Sequence, residues 1–247
     1  MKSSIIVCIP ARYDSSRLPG KPLAKINEKA LVLHVYDKVH AVVENVYVAT
    51  DDQRIVDEVT RGGGQAILTD PNHQTGTDRC AEAMESLAKY LSQDSIIINV
   101  QGDEPFIPTE LLFDLQKKFN DDSVQIATCV HKITDPESIK NPNRVKVVLN
   151  NNNQALYFSR SVIPHKKGDS KHPTEHFQHI GVYAFRWSTL QEIVKLKASK
   201  LELQESLEQL RWLENGYSIH CIKTDYNGFG IDTEQDLIKA REILGKV

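Results

Sequence analysis

The sequence predicts an α/β protein, a mostly parallel sheet with helices on both faces. Over the first half, short β-branched runs alternate with longer amphipathic segments. The residue types that bear chemistry also gather just after the apolar runs, where open α/β sheets bind their ligands. At 247 residues the chain is long enough to bury a substantial core, as one large α/β domain or two small ones.

The elements follow in order. The run over 5–9 (IIVCI) reads as a first buried strand, and 31–43 has helical apolar spacing. A second strand is expected over 46–49, then a helix over 52–61 that stops at Gly62, Gly63 and Gly64. A short strand covers 66–68. A helix covers 77–91, with Ala81, Met84, Leu87, Ala88 and Leu91 on one face. The run over 95–100 is a strongly buried strand, and 110–119 is helical again. The second half is less regular. Strands are expected over 125–132, 145–149, 155–158, 180–185 and 218–222, and a polar loop over 165–176. A helix over 201–214 has Leu203, Leu207 and Leu210 on one stripe and ends at Asn215–Gly216; a last helix covers 233–244.

Composition narrows the function classes. The net charge of −3 provides no basic field to recruit nucleic acid or anionic lipid, so anion binding has to come from local clusters. No apolar run approaches the length needed to span a bilayer, and the first one is too short for a signal-peptide core. Cys8, Cys80, Cys129 and Cys221 are scattered with no C-x-x-C pair, which fits a reducing compartment, and a cytoplasmic enzyme is expected.

The turns after the strands carry the chemistry. Positions 10–22 crowd Arg12, Arg17 and Lys21 with two serines and Gly20 into one loop. Backbone N–H groups and charge-assisted bonds from Arg and Lys suit a triphosphate; the bland alternative is a solvated loop with scattered charge. The loop is neither a Walker loop nor a G-x-G-x-x-G turn. After the second strand, Thr50, Asp51 and Asp52 offer a base or ribose contact or simply a helix cap. After the third, Thr75–Arg79 is a small-residue turn at a helix start, with Thr77 or Asp78 as an alternative cap. After the fourth come Gln101, Gly102, Asp103 and Glu104, and near the end Asp232 precedes a helix. A carboxylate ending a buried strand is costly unless solvated, paired or on a metal, and Mg2+ typically takes one or two carboxylates plus phosphate oxygens. Asp103 and Asp232 are therefore a candidate metal platform, with a helix cap as the alternative for Asp232.

Nine motifs stand in order along the chain: IPARY at 9–13, SRLPGKPL at 16–23, VATDD at 48–52, TGTDR at 75–79, NVQGDEP at 99–105, ALYFSRS at 155–161, HIGVY at 179–183, SLEQLR at 206–211 and GIDT at 230–233. Together they resemble the CMP-KDO synthetases (3-deoxy-manno-octulosonate cytidylyltransferases) over nearly the whole chain. The resemblance implies a nucleotide-diphospho-sugar transferase-like, Rossmann-like fold with a smaller dimerisation and sugar-side subregion. It implies a homodimer and a Mg2+-dependent transfer of CMP from CTP to the eight-carbon sugar acid KDO, releasing pyrophosphate and activating KDO for lipopolysaccharide or capsule synthesis. Residues 1–247 then form one domain, with 1–125 mainly nucleotide-binding. Residues 126–247 are mainly sugar-binding and dimerising, and contribute the second metal carboxylate. By motif match, Arg12, Arg17 and Lys21 bind the triphosphate. Ala11, Thr50, Asp51, Thr77 and Gln101 surround the cytidine or the sugar, and Asp103 and Asp232 hold Mg2+. Arg160, His179, Tyr183, Glu208 and Gln209, with Gln101, line the KDO pocket. Lys21, Asp103 and Asp232 are the residues expected to carry catalysis.

The chain departs from the family pattern where His165 follows Ile163–Pro164 in place of an aromatic residue, which bears on the sugar, and where Glu28 and Ala30 replace a Gly and a Pro, which reads as structural. The nearest rival is a cytidylyltransferase for 8-amino-KDO or a sialic acid. The 206–211 motif favours KDO over sialic acid but does not separate the amino analogue. A catalytically silent nucleotide-binding protein would lack the carboxylates or the cations, and here all are present. His172, His176 and His179 do not read as a zinc site, because Pro173 interrupts their spacing.

Overall fold

The computed structural model describes residues 5–15, 17–168 and 174–244. Ser16 of the first loop and His172 lie outside the described residues. In chain order the strands are β1 (Ile5–Ala11), β2 (Lys25–Ile26), β3 (Lys29–Ala30), β4 (Val46–Thr50), β5 (Ala66–Leu68), β6 (Ile96–Asn99), β7 (Ile126–Ile133), β8 (Lys146–Leu149), β9 (Ala155–Ser159), β10 (His176–Arg186) and β11 (Ile219–Thr224). The helices are α1 (Leu31–His40), α2 (Gln53–Arg61), α3 (Gly76–Glu85), α4 (Glu110–Lys118), α5 (Pro136–Lys140), α6 (Trp187–Ile193), α7 (Lys200–Glu205), α8 (Gln209–Glu214) and α9 (Glu234–Leu244), with single 3-10 turns at Lys21–Leu23 and Ala88–Tyr90.

The main sheet runs β11-β7-β10-β6-β1-β4-β5, with a β8–β9 ribbon attached to β10. Along that path the pairs are parallel except where β10 lies antiparallel between β6 and β7. Alternation splits the core between two faces. Val7, Ile9, Ile96 and Ile98 pack with α1, α2 and α4, whereas Ile6, Cys8 and Ile97 pack with α3, α6 and α8. Each fully buried isoleucine contributes roughly 1.5–3 kcal/mol over its exposed state. A third cluster joins Ile26 and Leu31 to Ile231, Leu237 and Ala240, docking α9 on the β2–β3 ribbon.

Several expectations change. The helix expected over 201–214 is two helices. Ser206 ends α7 with φ 52, and the chain turns so that Glu208 points inward; Leu207 and Leu210 are buried, while Leu203 stays 70% exposed. The helix expected over 77–91 ends at Glu85, and that over 31–43 ends at His40. The strand expected over 180–185 is longer, His176–Arg186, and takes the last residue of the expected loop. The Glu28 substitution is indeed in a turn. Asn27 (φ 48) and Glu28 (φ 67) join β2 to β3 in the left-handed region that glycine tolerates best.

Candidate active site

The ends of β1 and β6 build one wall of a cavity of about 300 Å3, lined by Pro10, Ala11, Arg12, Arg17, Lys21, Thr75, Gly76, Gln101, Gly102, Asp103 and Asp232 among others. Gly102 has to be glycine there, because a Cβ would stand 2.9 Å from the Pro10 carbonyl oxygen. The loop after β1 is pinned from behind. The Tyr13 N–H donates to Asp51 Oδ1 at 3.2 Å, and Asp51 Oδ2 pairs with the buried Arg79 guanidinium at 3.0 Å. The Arg54 guanidinium lies 3.5 Å above the Tyr13 ring. The Gly20 N–H donates to Tyr13 O at 3.1 Å, with Gly20 at φ 69, and this turns the chain into the 3-10 turn that starts with Lys21.

That turn delivers the Lys21 ammonium between two carboxylates, donating to Asp103 Oδ2 at 2.5 Å and Asp232 Oδ1 at 3.1 Å; Arg17 pairs with Asp232 Oδ2 at 3.1 Å. Burial pulls the Lys21 ammonium down, but Asp103 and Asp232 outweigh it, so it is held above the ordinary lysine value and stays charged. Asp232 is not the cap of α9. Thr233 Oγ1 accepts from the Asp236 N–H at 3.2 Å while Asp236 Oδ2 accepts from the Thr233 N–H at 3.0 Å, a reciprocal capping pair that leaves the Asp232 carboxylate to face the cavity. The two carboxylates converge on a cation, and their hard oxygens fit a divalent ion whose remaining ligands are phosphate and water.

The other caps also settle. Asp52 caps α2, accepting from the Arg54 N–H at 2.9 Å. Thr75, rather than Thr77 or Asp78, caps α3, accepting from the Asp78 N–H at 3.1 Å. Thr50 and Asp51 do not line the cavity. The Thr50 carbonyl accepts from the Thr69 N–H and hydroxyl, its own hydroxyl accepts from the Asp52 N–H, and both Asp51 oxygens are engaged in holding the loop.

Most of the residues expected on the sugar side lie away from that cavity, in a more closed part of the fold. β10 carries a bulge between Ile180 and Tyr183, and the Gln101 amide donates to the carbonyl of Gly181 within it at 3.3 Å. The His179 ring sits between Phe158 and Tyr183, at centroid distances of 5.3 and 5.1 Å, with Nε2 2.9 Å from Thr128 Oγ1. Burial pushes the imidazole down to about 3, so it is neutral at physiological pH. The Tyr183 hydroxyl is buried with no hydrogen-bond partner among the described residues. The Glu208 carboxylate accepts from Thr75 Oγ1 and Thr77 Oγ1, each at 2.8 Å, and from Arg211 at 3.3 Å; burial raises it to about 7 despite the two threonine bonds. Thr77 thus serves Glu208 and does not line the cavity. Gln209 is buried at the start of α8. Arg160 spends its guanidinium on the backbone carbonyls of Glu205, Pro142 and Ser206, which clamps the α7–α8 bend.

Sequence reasoning missed Glu104 and Tyr226. The Tyr226 hydroxyl donates to Glu104 Oε2, and burial raises Glu104 to about 7 against that bond. The signal for Glu104 was its place in the 99–105 motif; Tyr226 carried none. His73, which lines the cavity and contacts the Glu82 carboxylate, was missed as well.

A family model described as cytidylyltransferase matches residues 6–220. The 3-deoxy-manno-octulosonate cytidylyltransferase of Cytophaga hutchinsonii is 50% identical over 243 residues, covering 96% of each chain. That of Parabacteroides distasonis is 48% identical over 246 residues, again 96% of each. A solved structure of CMP:2-keto-3-deoxy-manno-octonic acid synthetase complexed with CTP superposes with a TM-score of 0.90 at 41% identity, over 99% of both chains. The chain belongs to the cytidylyltransferases, within the 3-deoxy-manno-octulosonate cytidylyltransferase (CMP-KDO synthetase) family of nucleotidyltransferases.

Proposed function

We propose that this chain transfers CMP from CTP to the anomeric hydroxyl of KDO. The observation that carries the reading is the convergence of Arg17 and Lys21 on Asp103 and Asp232 at the strand-end cavity. A site with cations and carboxylates on facing loops accepts a triphosphate on one side and a divalent ion on the other.

In the reaction the sugar hydroxyl oxygen bonds to the α-phosphorus, the bond to the β-phosphate oxygen breaks, pyrophosphate leaves and the hydroxyl proton is released. Phosphoryl chemistry of this kind asks for positioning and charge neutralisation more than for covalent help. Arg12, Arg17 and Lys21 neutralise the triphosphate, Lys21 exchanging its carboxylate partners for phosphate oxygens as the nucleotide enters. Asp103 and Asp232 hold Mg2+, which supplies Lewis-acid polarisation of the phosphate oxygens when bound. Ala11 and Gly102, small residues in the cavity lining, leave room for the nucleotide to approach the backbone. Gln101 stands at the junction with the sugar side, where neutral His179 and the Tyr183 hydroxyl, which has no partner among the described residues, offer hydrogen bonds to a polyhydroxy acid. Nucleotide recognition lies mainly in 1–125, and sugar recognition and dimerisation mainly in 126–247. Free, buried Cys8, Cys80, Cys129 and Cys221 support a cytoplasmic setting, and no described helix is long and apolar enough to cross a membrane.

Purified protein incubated with CTP, Mg2+ and KDO, 8-amino-KDO or a sialic acid, and read by mass spectrometry, tests the reading. CMP-KDO is the expected product. Product from another sugar acid alone replaces the substrate, and no pyrophosphate from any of them makes the chain a silent nucleotide binder. Light scattering on the same preparation tests the proposed homodimer, for which a mass of one chain would be the contrary result.

A further inference from the structure

We propose that Tyr226 and Glu104 are positioning residues: their contact holds the segment bearing Asp232 over Asp103 and so sets the spacing of the two carboxylates. The inference rests on the metal-binding reading of that pair. Asp103 and Asp232 are far apart in the chain, and Asp232 lies on the connection from β11 to α9, so something has to bring that connection onto the turn after β6.

Three contacts do so. The Ile231 N–H donates to the Asp103 carbonyl at 2.9 Å. The Phe229 ring meets Phe106 edge-on at 5.4 Å. The Tyr226 hydroxyl donates to Glu104, the residue beside Asp103, and itself accepts from the Phe229 N–H at 3.2 Å. The first two contacts fix the backbone at Ile231 and pack Phe229 and Phe106 against the cluster that holds Ile231 and Leu237. The third ties the start of the connection to the base of the Asp103 turn, and it is made through a half-buried acid beside Asp103. Glu104 does not line the cavity that Asp103 and Asp232 share. Its carboxyl sits beneath Gly228 and Gly230, where a Cβ on either would lie 3.8 Å from Glu104 Oε1, and a Cβ on Gly230 would also lie 4.0 Å from Asp103 Oδ1. The close glycine-bounded turn therefore wraps the Glu104 side chain, and the Tyr226 hydroxyl closes the wrap. Groups behind the ligands commonly tune metal affinity by tenfold or more through orientation.

The test is Mn2+ binding followed by electron paramagnetic resonance in the presence of CTP and the absence of KDO, so that no turnover is needed. Tyr226→Phe keeps the ring and deletes the hydroxyl; it should weaken Mn2+ roughly tenfold with little change in Tm. Glu104→Ala should do the same, and Glu104→Gln, which keeps a carbonyl acceptor for Tyr226, should bind close to wild type. Asp232→Asn is the control for the metal reading. Normal Mn2+ affinity in Tyr226→Phe together with weakened affinity in Asp232→Asn overturns the positioning role and leaves the metal site intact. Glu104→Gln as weak as Asp232→Asn also overturns it, since Glu104 would then act by charge. Wild-type affinity in Asp232→Asn overturns the metal platform and the role built on it. If Tyr226→Phe melts early, the Glu104→Gln and Glu104→Ala pair measured below its transition makes the same decision.

Discussion

The two sides of the site are built differently. On the β1 side the charged groups stand on loops at an open cavity, and Arg17 and Lys21 meet Asp103 and Asp232 across it. On the β10 side most of the polar groups are turned into the fold and hydrogen-bonded there, Glu208 by Thr75 and Thr77, His179 by Thr128, Arg160 by three backbone carbonyls, while the buried Tyr183 hydroxyl has no partner among the described residues. The Arg17–Asp232 pair is open to solvent, held by screened attraction and readily exchanged for a charged ligand, whereas Lys21 and Asp103 are set deeper. Buried hydrogen bonds are costly to break without replacement. The contrast fits the proposed division, with phosphate chemistry on the first side and shape-dependent recognition on the second. It also shows a link between them, because Thr75 both caps the helix at the cavity edge and bonds to Glu208.

The largest expected effect is on the open side. Asp103→Asn removes charge and keeps shape, and should lower kcat by about a hundredfold, the scale for losing one preorganised electrostatic partner. Steady-state rates with saturating substrates measure it; an unchanged kcat would make the Lys21–Asp103 pair a structural ion pair only. Next, Arg17→Ala or Lys21→Ala should raise the KM for CTP by roughly tenfold and leave that for KDO nearly unchanged, through loss of a charge-assisted phosphate contact. Equal rises for both substrates would erase the distinction between the two sides.

Smaller effects sharpen the buried side. Glu208 titrates near 7 in the fold against its ordinary 4.5, so the folded state binds the extra proton over that interval. Its contribution to stability is fully present below about pH 4.5 and is lost as pH rises through about 7, on the order of 3 kcal/mol over the window. Melts between pH 5 and 8 should therefore fall more steeply for wild type than for Glu208→Gln, which cannot titrate. Parallel curves would show that Thr75, Thr77 and Arg211 keep the carboxylate ionised throughout. The smallest effect lies outside both sides: Glu28→Gly relieves a left-handed residue and should raise stability by up to about 1 kcal/mol. A lower Tm would mean the exposed Glu28 side chain contributes more than its backbone costs.

Much of this was legible in the sequence because each chemistry-bearing turn follows a run of apolar residues, so locating β1, β4, β5 and β6 located Arg12, Lys21, Asp51, Thr75 and Asp103 together. What was not legible depends on distant pairing. Nothing local says that β10 enters antiparallel between β6 and β7. The break at Ser206 hides inside an apolar spacing that continues through it, since only the inward demand of Thr75 and Thr77 on Glu208 reveals the turn. Glu104 and Tyr226 are 122 positions apart, and neither residue type announces the other. The α9 cap was readable as Thr233 with Asp236 three residues on, but the preceding Asp232 competes for the same role until the hydrogen bonds are seen.

That last point gives the most direct measurement. Asn caps a helix about as well as Asp, so a capping Asp232 would tolerate Asp232→Asn with little loss of either stability or rate. With Thr233 and Asp236 forming the cap, the Asp232 carboxylate is left to the cavity, and Asp232→Asn should melt like wild type while kcat falls by about a hundredfold across a Mg2+ titration. Near-normal kcat at low Mg2+ would contradict the account and remove Asp232 from the chemistry.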